Sequence, residues 1–304
     1  MSNVIVFGAT GLLGQAIAKA NPGCIEISSK DFDATDRTAT EEWFLNNTLL
    51  IADSVVHLCT GKVSGIGSQK HRIMFEHNLV VTMNLVRALA SHQKSGLTLY
   101  YSSSVVYPAE LENMVENDIL TGSFAGGNDG YALGKAAGQR YCQYWNRELE
   151  HLQFINVVIP NLWGPGDNWD MTSAHVIPAL ANKMQYARMH STTLTVFGTP
   201  DTRREFLRAD DVAVAAQLII DNPTSQETFN VGYGLDISIG EVVDGLKQRL
   251  RYNGPIEWTG TNAGPSQRLM KCEAMDTWGF SPQHTYEMML DYHADYVRGT
   301  NGVS

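Results

Sequence analysis

The chain has 304 residues, a hydrophobic content of 43% and a formal charge of -10 at pH 7. Its length suits one large domain or two closely packed ones, and its composition is that of an ordinary soluble globular protein. The negative charge argues against a broad cationic surface for nucleic acid or for an anionic membrane. Its 4 cysteines are scattered without a CxxC pair, which argues against a disulfide framework or a metal site and makes the cytoplasm the expected location.

Short β-branched apolar runs alternate with longer amphipathic stretches through the first half of the chain, a pattern typical of a parallel sheet with crossover helices. The predicted strands are 4–7, 25–28, 54–58, 97–101 and 154–159. The predicted helices between them are 12–20, 40–47, 79–91 and 131–149. We therefore predict an α/β fold built on a doubly wound parallel sheet.

The texture changes after about Pro160, where Gly, Pro and Asn separate shorter elements and indicate a second, smaller C-terminal lobe. The predicted elements of this region are 174–188, 195–197, 210–221 and 238–250. We assign 1–162 and 205–232 to the sheet domain, and 163–204 and 233–304 to the smaller lobe. The stretch 122–130, rich in Gly, Ser and Asn, is predicted to be a loop over a site.

The first strand runs into the motif GATGLLG, which places Gly8, Gly11 and Gly14 where a strand turns into a helix. Glycine allows a tight turn and a close approach of the backbone to a pyrophosphate, and the helix N-terminus favours the negative charge. The motif therefore predicts a dinucleotide site that also includes Thr10 and Leu12. Close packing of the helix on the strand without any ligand is the alternative.

The residues that follow the second strand bear on the choice of cofactor. Folds of this kind that prefer NAD place an acidic residue about 20 positions after the glycines, on the ribose 2'-hydroxyl. Here Ser28, Ser29 and Lys30 lie near that position, and hydroxyls with a cation suit a 2'-phosphate. NADP is therefore favoured over NAD. Asp36 either contacts the adenine or caps the following helix.

A serine, a tyrosine and a lysine form a candidate catalytic set. The fourth strand ends in Ser102-Ser103-Ser104, and the fourth helix opens with YALGK. Tyr131 and Lys135 are four residues apart and share one helical face, so the ammonium is expected to lower the pKa of the phenol. Ser103 is expected to hydrogen-bond a carbonyl oxygen at the carboxyl edge of the sheet.

Together, these motifs resemble the extended short-chain dehydrogenase/reductases that act on nucleotide sugars, and the resemblance spans nearly the whole chain. Within that family the chain is most similar to the GDP-fucose synthases. The segments that carry this similarity are KVSGI at 62–66, SSVVYP at 103–108, NLWGP at 161–165, AHVIPAL at 174–180, REFL at 204–207 and DD at 210–211. The resemblance implies a Rossmann fold that binds NADPH, a lobe that binds a GDP-linked sugar, reduction of a 4-keto-6-deoxy sugar, and a homodimer formed through a four-helix bundle.

The resemblance also implies roles for individual residues. Ser103 and Tyr131 would hold the sugar carbonyl, with Tyr131 as proton donor, and Lys135 would bind the nicotinamide ribose. The further cofactor residues implied are Cys59, Thr60, Ile159, Asn161, Leu162 and His175. The substrate residues implied are Lys62, Ser104, Val105, Asn161, Val176, Lys183, Arg204 and Arg268.

One position departs from the family pattern. GDP-fucose synthases carry a cysteine two residues past the catalytic serine, and it works with the histidine of the AHVIPAL segment in epimerising carbons 3 and 5. Here Val105 stands at that position while His175 is retained, and valine cannot exchange a proton. We therefore expect a 4-ketoreductase that keeps the incoming configuration. Epimerisation of one carbon by His175 and replacement of the cysteine by another residue are the alternatives. A helix cap, or a ligand of a substrate hydroxyl or phosphate, is an equal alternative role for His175.

Other functions remain open on the same fold. A 4-epimerase or 4-dehydrogenase with tightly held nicotinamide is one alternative, and a non-catalytic dinucleotide sensor is another. A dehydratase is disfavoured. The nucleotide-sugar dehydratases of the superfamily that this chain resembles carry an acidic pair just after the catalytic hydroxyl residue, and Ser104 and Val105 stand there in this chain.

Overall fold

The structure is a computed structural model that describes residues 3–62, 70–171, 173–260 and 266–300. The strands are β1 (Val4–Phe7), β2 (Ile25–Ile27), β3 (Val55–Leu58), β4 (Gly96–Ser103), β5 (Asn113–Met114), β6 (Leu152–Ile159), β7 (Asn161–Trp163), β8 (Leu194–Val196), β9 (Arg203–Arg204), β10 (Phe206–Arg208), β11 (Thr228–Asn230), β12 (Ile237–Ser238), β13 (Ile256–Trp258) and β14 (Leu269–Met270). The helices are α1 (Leu12–Ala20), α2 (Arg37–Asn46), α3 (Thr48–Ile51), α4 (His71–His92), α5 (Asp129–Glu148), α6 (Val176–His190), α7 (Ala209–Asp221), α8 (Ile239–Leu250), α9 (Glu273–Thr277) and α10 (Tyr286–Thr300).

The central sheet has six parallel strands in the order β11-β6-β4-β3-β1-β2. The chain passes from β1 to β2 on one side and then returns to place β3 on the other side of β1. This reversal of strand order is the topological switch point where open α/β sheets bind ligands, at the carboxyl ends of the strands. The predicted doubly wound Rossmann fold is confirmed.

Alternate side chains of the strands fill two hydrophobic cores, one on each face of the sheet. Ile5 and Phe7 belong to one core, and Val6 belongs to the other. Helices α4 and α5 pack together on the first face, and α1 and α7 pack together on the second. Burial of both faces explains why the strands read as continuous apolar runs.

Helix α5 lies unusually close to its neighbours because glycines recur along one side of it. A Cβ added at Gly130 would lie 2.1 Å from the carbonyl oxygen of His71, and one at Gly138 would lie 2.7 Å from the Tyr100 hydroxyl. At Gly134 it would lie 3.1 Å from the carbonyl oxygen of Phe75. These three glycines set the distance of α5 from α4 and from β4.

A third hydrophobic core lies in the smaller lobe, among α6, α8 and α10 with β8 and β13. The structure differs from the predicted division of the chain in one respect. Met270, Cys272, Met275 and Phe280 pack into a core of the sheet domain, although the sequence analysis placed them in the lobe. The reason is the pairing of β14 with β5, which brings this segment back beside the sheet.

The bounds of most predicted elements differ from the structure by a few residues or fewer, and α1 agrees at both ends. The exceptions are informative. Helix α4 begins at His71, well before the predicted residue 79, and the elements that were not predicted include β11, α10 and most of the two- and three-residue strands. Residues 122–128 form a loop with one 3-10 turn, Gly126–Asn128, and α5 begins at Asp129, so the last two residues of the predicted loop 122–130 are helical.

No described helix is long and apolar enough to cross a bilayer. Within the same residues there is no group of three or more His, Cys, Asp or Glu side chains placed to hold a metal ion.

We expect Gly130→Ala to destabilise the protein by about 1–3 kcal/mol, because the new methyl group would overlap the backbone of His71. Gly127→Ala is the matched control, since a Cβ there meets nothing within 4 Å. Urea unfolding of both variants checks this expectation. Equal free energies of unfolding for the two variants would contradict it.

Candidate active site

The glycine-rich turn after β1 admits no side chain at its critical positions. Gly8 has φ +79°, and a Cβ there would lie 2.7 Å from the carbonyl oxygen of Cys59. A Cβ at Gly14 would lie 2.1 Å from the carbonyl oxygen of Gly8. The turn therefore brings bare backbone to the N-terminus of α1, with Thr10 and Gly11 exposed. This cradle fits the pyrophosphate of a dinucleotide.

The loop after β2 contains a carboxylate that the sequence analysis missed. The backbone N–H and the hydroxyl of Ser28 both donate to Asp31 Oδ2, at 2.8 and 3.1 Å. Ser29 and Lys30 are exposed beside it. Asp31 lies 20 positions after Gly11, so the known spacing of the ribose-binding acid could have found it.

Asp36 takes the second of the two roles left open for it. Its Oδ1 accepts from the N–H groups of Thr38 and Ala39, at 2.7 and 3.2 Å, and so caps α2.

Lys135 is buried at the centre of the site. Its Nζ donates to the carbonyl oxygens of Thr60 at 2.7 Å and Tyr101 at 2.8 Å, and it lies 4.7 Å from the centre of the Tyr100 ring. Burial lowers the pKa of Lys135 from 10.5 to about 8. The side chain thus ties α5 to the ends of β3 and β4.

Asn78 fixes the loop that follows β3 and was also missed. Its amide group bonds the backbone of Lys62 in both directions, accepting from the N–H at 3.1 Å and donating to the carbonyl at 2.9 Å. The side chain is 3% exposed. A polar residue buried on a helix face was the available signal, because such a group needs partners.

Ser103 and Tyr131 lie together at the carboxyl end of β4. Burial raises the pKa of Tyr131 to about 12, against a smaller lowering by the neighbouring Ser103 side chain. The expected lowering of this pKa by Lys135 is not seen, because the ammonium is directed at two backbone carbonyls instead. A phenol of this pKa is protonated at neutral pH and can give its proton to a carbonyl oxygen.

A 3-10 turn, Ser104–Val106, follows Ser103 and carries Val105 partly exposed. His175 lies at the N-cap of α6, but its side chain makes no capping hydrogen bond. The His175 residue is exposed to solvent. Nearby protein nevertheless partly desolvates the ring, and this desolvation lowers its pKa. No described side-chain hydrogen bond or ion pair joins His175 to another candidate residue.

Three of the implied cofactor residues, Ile159, Asn161 and Leu162, lie at the end of β6 and just after it. Ile159 is paired with Ser103 in the sheet register and is 7% exposed. Asn161 and Leu162 pair with β10 in a separate ladder, and the Asn161 amide donates to the main-chain oxygen of Glu205 at 3.1 Å. Cys59 lies opposite the glycine turn, and burial raises the pKa of its thiol.

Several cations lie on the lobe side. Arg204 and Arg268 are close enough for the charge of Arg204 to lower the pKa of Arg268, which burial and this charge bring to about 10. Lys183 and Val176 are half-buried on α6. Arg203 instead forms ion pairs with Asp236 at 2.6 Å and Glu241 at 3.3 Å.

Glu205 is a further residue without a sequence-based assignment. Its buried carboxylate accepts from the N–H groups of Tyr233 at 2.6 Å, Gly234 at 3.0 Å and Met270 at 3.2 Å. These hydrogen bonds to Glu205 fix the position of the backbone next to Arg204. Of the predicted KVSGI segment, only Lys62 is described, and 63–66 lie outside the described residues.

Residues 4–232 match the NAD dependent epimerase/dehydratase family, and the chain belongs to this family. Named relatives agree with that assignment. A putative GDP-L-fucose synthase 2 from Arabidopsis thaliana is 28% identical, over 95% of this chain and 92% of its own. A GDP-L-colitose synthase from Yersinia pseudotuberculosis is 27% identical, over 96% of this chain and 97% of its own.

Solved structures share the fold. A GDP-mannoheptose C4 reductase from Campylobacter jejuni with NADP bound superimposes with a TM-score of 0.83 at 20% identity. The match covers 98% of this chain and 98% of that chain.

We expect the contribution of Lys135 to stability to increase with pH above about 8. Between the folded pKa of about 8 and the usual 10.5, the unfolded chain keeps a proton that the folded chain has released. The free energy of unfolding then rises by at most about 1.4 kcal/mol per pH unit for this one proton. Urea unfolding of the wild type and of Lys135→Met from pH 7 to 10 measures the difference. A difference that stays constant over this range would contradict the expectation.

Proposed function

We propose that the protein is an NADPH-dependent reductase of a GDP-linked 4-keto-6-deoxy sugar. The observation that carries this proposal is a protonated phenol, Tyr131, next to Ser103 at the carboxyl edge of the sheet, together with a glycine turn that fits a dinucleotide. The names of the relatives support a GDP-sugar as substrate. The Campylobacter C4 reductase supports both the carbon that is reduced and the cofactor.

The residues divide the work of ketone reduction among them. NADPH, when bound, supplies the hydride to carbon 4. The Ser103 hydroxyl donates a hydrogen bond to the carbonyl oxygen and holds it beside Tyr131. Tyr131 transfers its proton to that oxygen as negative charge develops there. Lys135 lies one helical turn further on, where it would bind the ribose of the cofactor.

Reduction without epimerisation follows from the turn after Ser103. Val105 stands where a two-base epimerase has an acid/base group. Cys59 is a poor substitute for that group, because burial raises the pKa of its thiol and because it lies on the cofactor side. His175 has a lowered pKa, so it is neutral at pH 7 and keeps a lone pair able to take a proton. Single-carbon epimerisation by His175 is therefore the alternative that the tests must separate.

Binding of the sugar nucleotide would fall to the cations of the lobe. The charges of Arg204 and Arg268 are close enough to interact, and Arg268 makes no ion pair with any described carboxylate. Guanidinium groups in this arrangement suit a diphosphate.

We also propose a homodimer that pairs α4 and α5 of each protomer. These helices expose Val80, Leu133 and Tyr144, which are 37%, 40% and 50% exposed. Helices that expose apolar side chains outward favour bundle formation.

We expect the sedimentation coefficient of a dimer at micromolar concentration, and Leu133→Glu should shift it toward the monomer. A monomer of the wild type would contradict the dimer.

We expect the protein to oxidise NADPH with at least one sugar from a panel of GDP-, CDP- and dTDP-linked 4-keto-6-deoxy sugars. Tyr131→Phe should lower kcat about 10²–10⁴-fold, because the proton donor is removed. Tyr186→Phe, half exposed on α6 and outside the proposed dimer interface, is the matched control. No turnover with any sugar, or an unchanged Tyr131→Phe variant, would refute the proposed function. With the active sugar in deuterated water, label at carbon 3 or 5 above the enzyme-free rate would assign epimerisation to His175 or a substitute base.

For the cofactor, we expect Lys30→Ala to raise KM for NADPH about tenfold with little effect on NADH, because Lys30 would pair with the 2'-phosphate. Asp31→Asn should lower KM for NADPH, since its carboxylate occupies the Ser28 donors and repels that phosphate. Lys94→Ala, an exposed lysine just before the opposite end of β4, is the control. Parallel changes for the two cofactors would exclude a role in discrimination.

A further inference from the structure

Arg268 connects the lobe-side cations to the turn that follows the catalytic serine. It directly precedes β14, whose pairing with β5 places it beside the sheet. Its Nη2 donates to the carbonyl oxygens of Ser104 at 2.7 Å and Tyr107 at 3.3 Å. The N–H of Tyr107 in turn donates to the Ser104 oxygen at 3.3 Å. One nitrogen of the guanidinium therefore holds both ends of the Ser104–Val106 turn.

The remaining nitrogens of Arg268 are available to a ligand. Neither Nε nor Nη1 has a hydrogen-bond partner in the described part of the chain. The positive charge of Arg204 lies close by and disfavours the charged form of Arg268. An anion that binds both side chains removes this repulsion, and a diphosphate carries enough negative charge to do so.

We propose that Arg268 is a positioning residue that transmits diphosphate binding to the Ser104–Val106 turn, and so fixes Ser103 for catalysis only when the nucleotide part of the substrate is bound. The planar guanidinium makes this possible, because its nitrogens are rigidly joined. A phosphate bound at one edge restricts the orientation of the nitrogen that holds the two carbonyls. The proposal rests on the proposed function for the identity of the anion.

The coupling has a kinetic consequence. Binding energy from the diphosphate, far from the reacting carbon, is converted into correct placement of Ser103, so it is realised in kcat and not only in KM. A lysine at position 268 would keep the charge but would act as a point charge, without joining phosphate to carbonyl.

Hydrogen exchange with GDP alone tests the coupling without any turnover. In the wild type, saturating GDP should slow amide exchange in the 103–108 segment about tenfold. In Arg268→Lys, GDP should bind within about threefold of the wild-type Kd, but this protection should be absent. In Arg204→Lys, the Kd for GDP should rise about tenfold, and the protection should return once GDP saturates the site.

Turnover with the active sugar provides the second readout. Arg268→Lys should lower kcat about tenfold with a much smaller change in KM, and Arg204→Lys should act mainly on KM. Should Arg268→Lys be poorly folded by circular dichroism, Arg268→Ala with millimolar guanidinium replaces it. Added guanidinium should then restore kcat, whereas methylammonium should not.

Several outcomes would overturn the coupling: equal GDP protection in the wild type and Arg268→Lys, a change in KM alone, or no binding of GDP by the wild type. A wild type that shows GDP-dependent protection through Arg268 yet reduces no sugar refutes the proposed function while supporting the coupling. The two failures are therefore distinguishable.

Discussion

The buried ammonium of Lys135 is the constraint on which the rest of the site depends. A charge removed from water costs several kcal/mol unless hydrogen bonds compensate it, so the carbonyls of Thr60 and Tyr101 must both be directed at Nζ. These carbonyls lie near the ends of two neighbouring strands. Helix α5 must therefore lie tightly over the sheet, which the glycines on its inner side permit.

The same placement of α5 decides the chemistry. Tyr131 is carried one helical turn before Lys135 and meets Ser103 at the end of β4. Burial lowers the pKa of the Lys135 ammonium and raises the pKa of the Tyr131 phenol, because it disfavours the charged form of each group. A protonated tyrosine suits proton donation to a ketone, and the protonated state of Tyr131 thus has its origin in helix packing.

The sequence predicted most of the sheet domain, because β1, β3 and their helices follow simple apolar periodicities. Prediction was weakest where buried polar groups interrupt those patterns. The start of α4 was missed because Asn78 stands on its buried face. Asp31 and Glu205 were missed for a related reason: their roles come from backbone donors supplied by the folded chain, and Glu205 receives them from residues 28 to 65 positions away. The candidate set of Ser103, Tyr131 and Lys135 was predicted from strand-end and helical spacing, whereas the pKa values of Tyr131 and Lys135 depend on their burial in the folded chain.

Glu205 bears on how the cleft can open. Asn161, Tyr233 and Met270 each belong to a segment that leads between the cores of the sheet domain and the lobe, and each is hydrogen-bonded to Glu205. Separating the lobe here would leave a buried carboxylate without its donors, at a cost of about 1–3 kcal/mol or more. A rotation of the lobe about an axis near Glu205 would keep these hydrogen bonds intact. Displacement grows with distance from such an axis, so the remote ends of α8 and α10 would travel furthest, while Arg204 and the backbone beside it would stay in place throughout substrate entry.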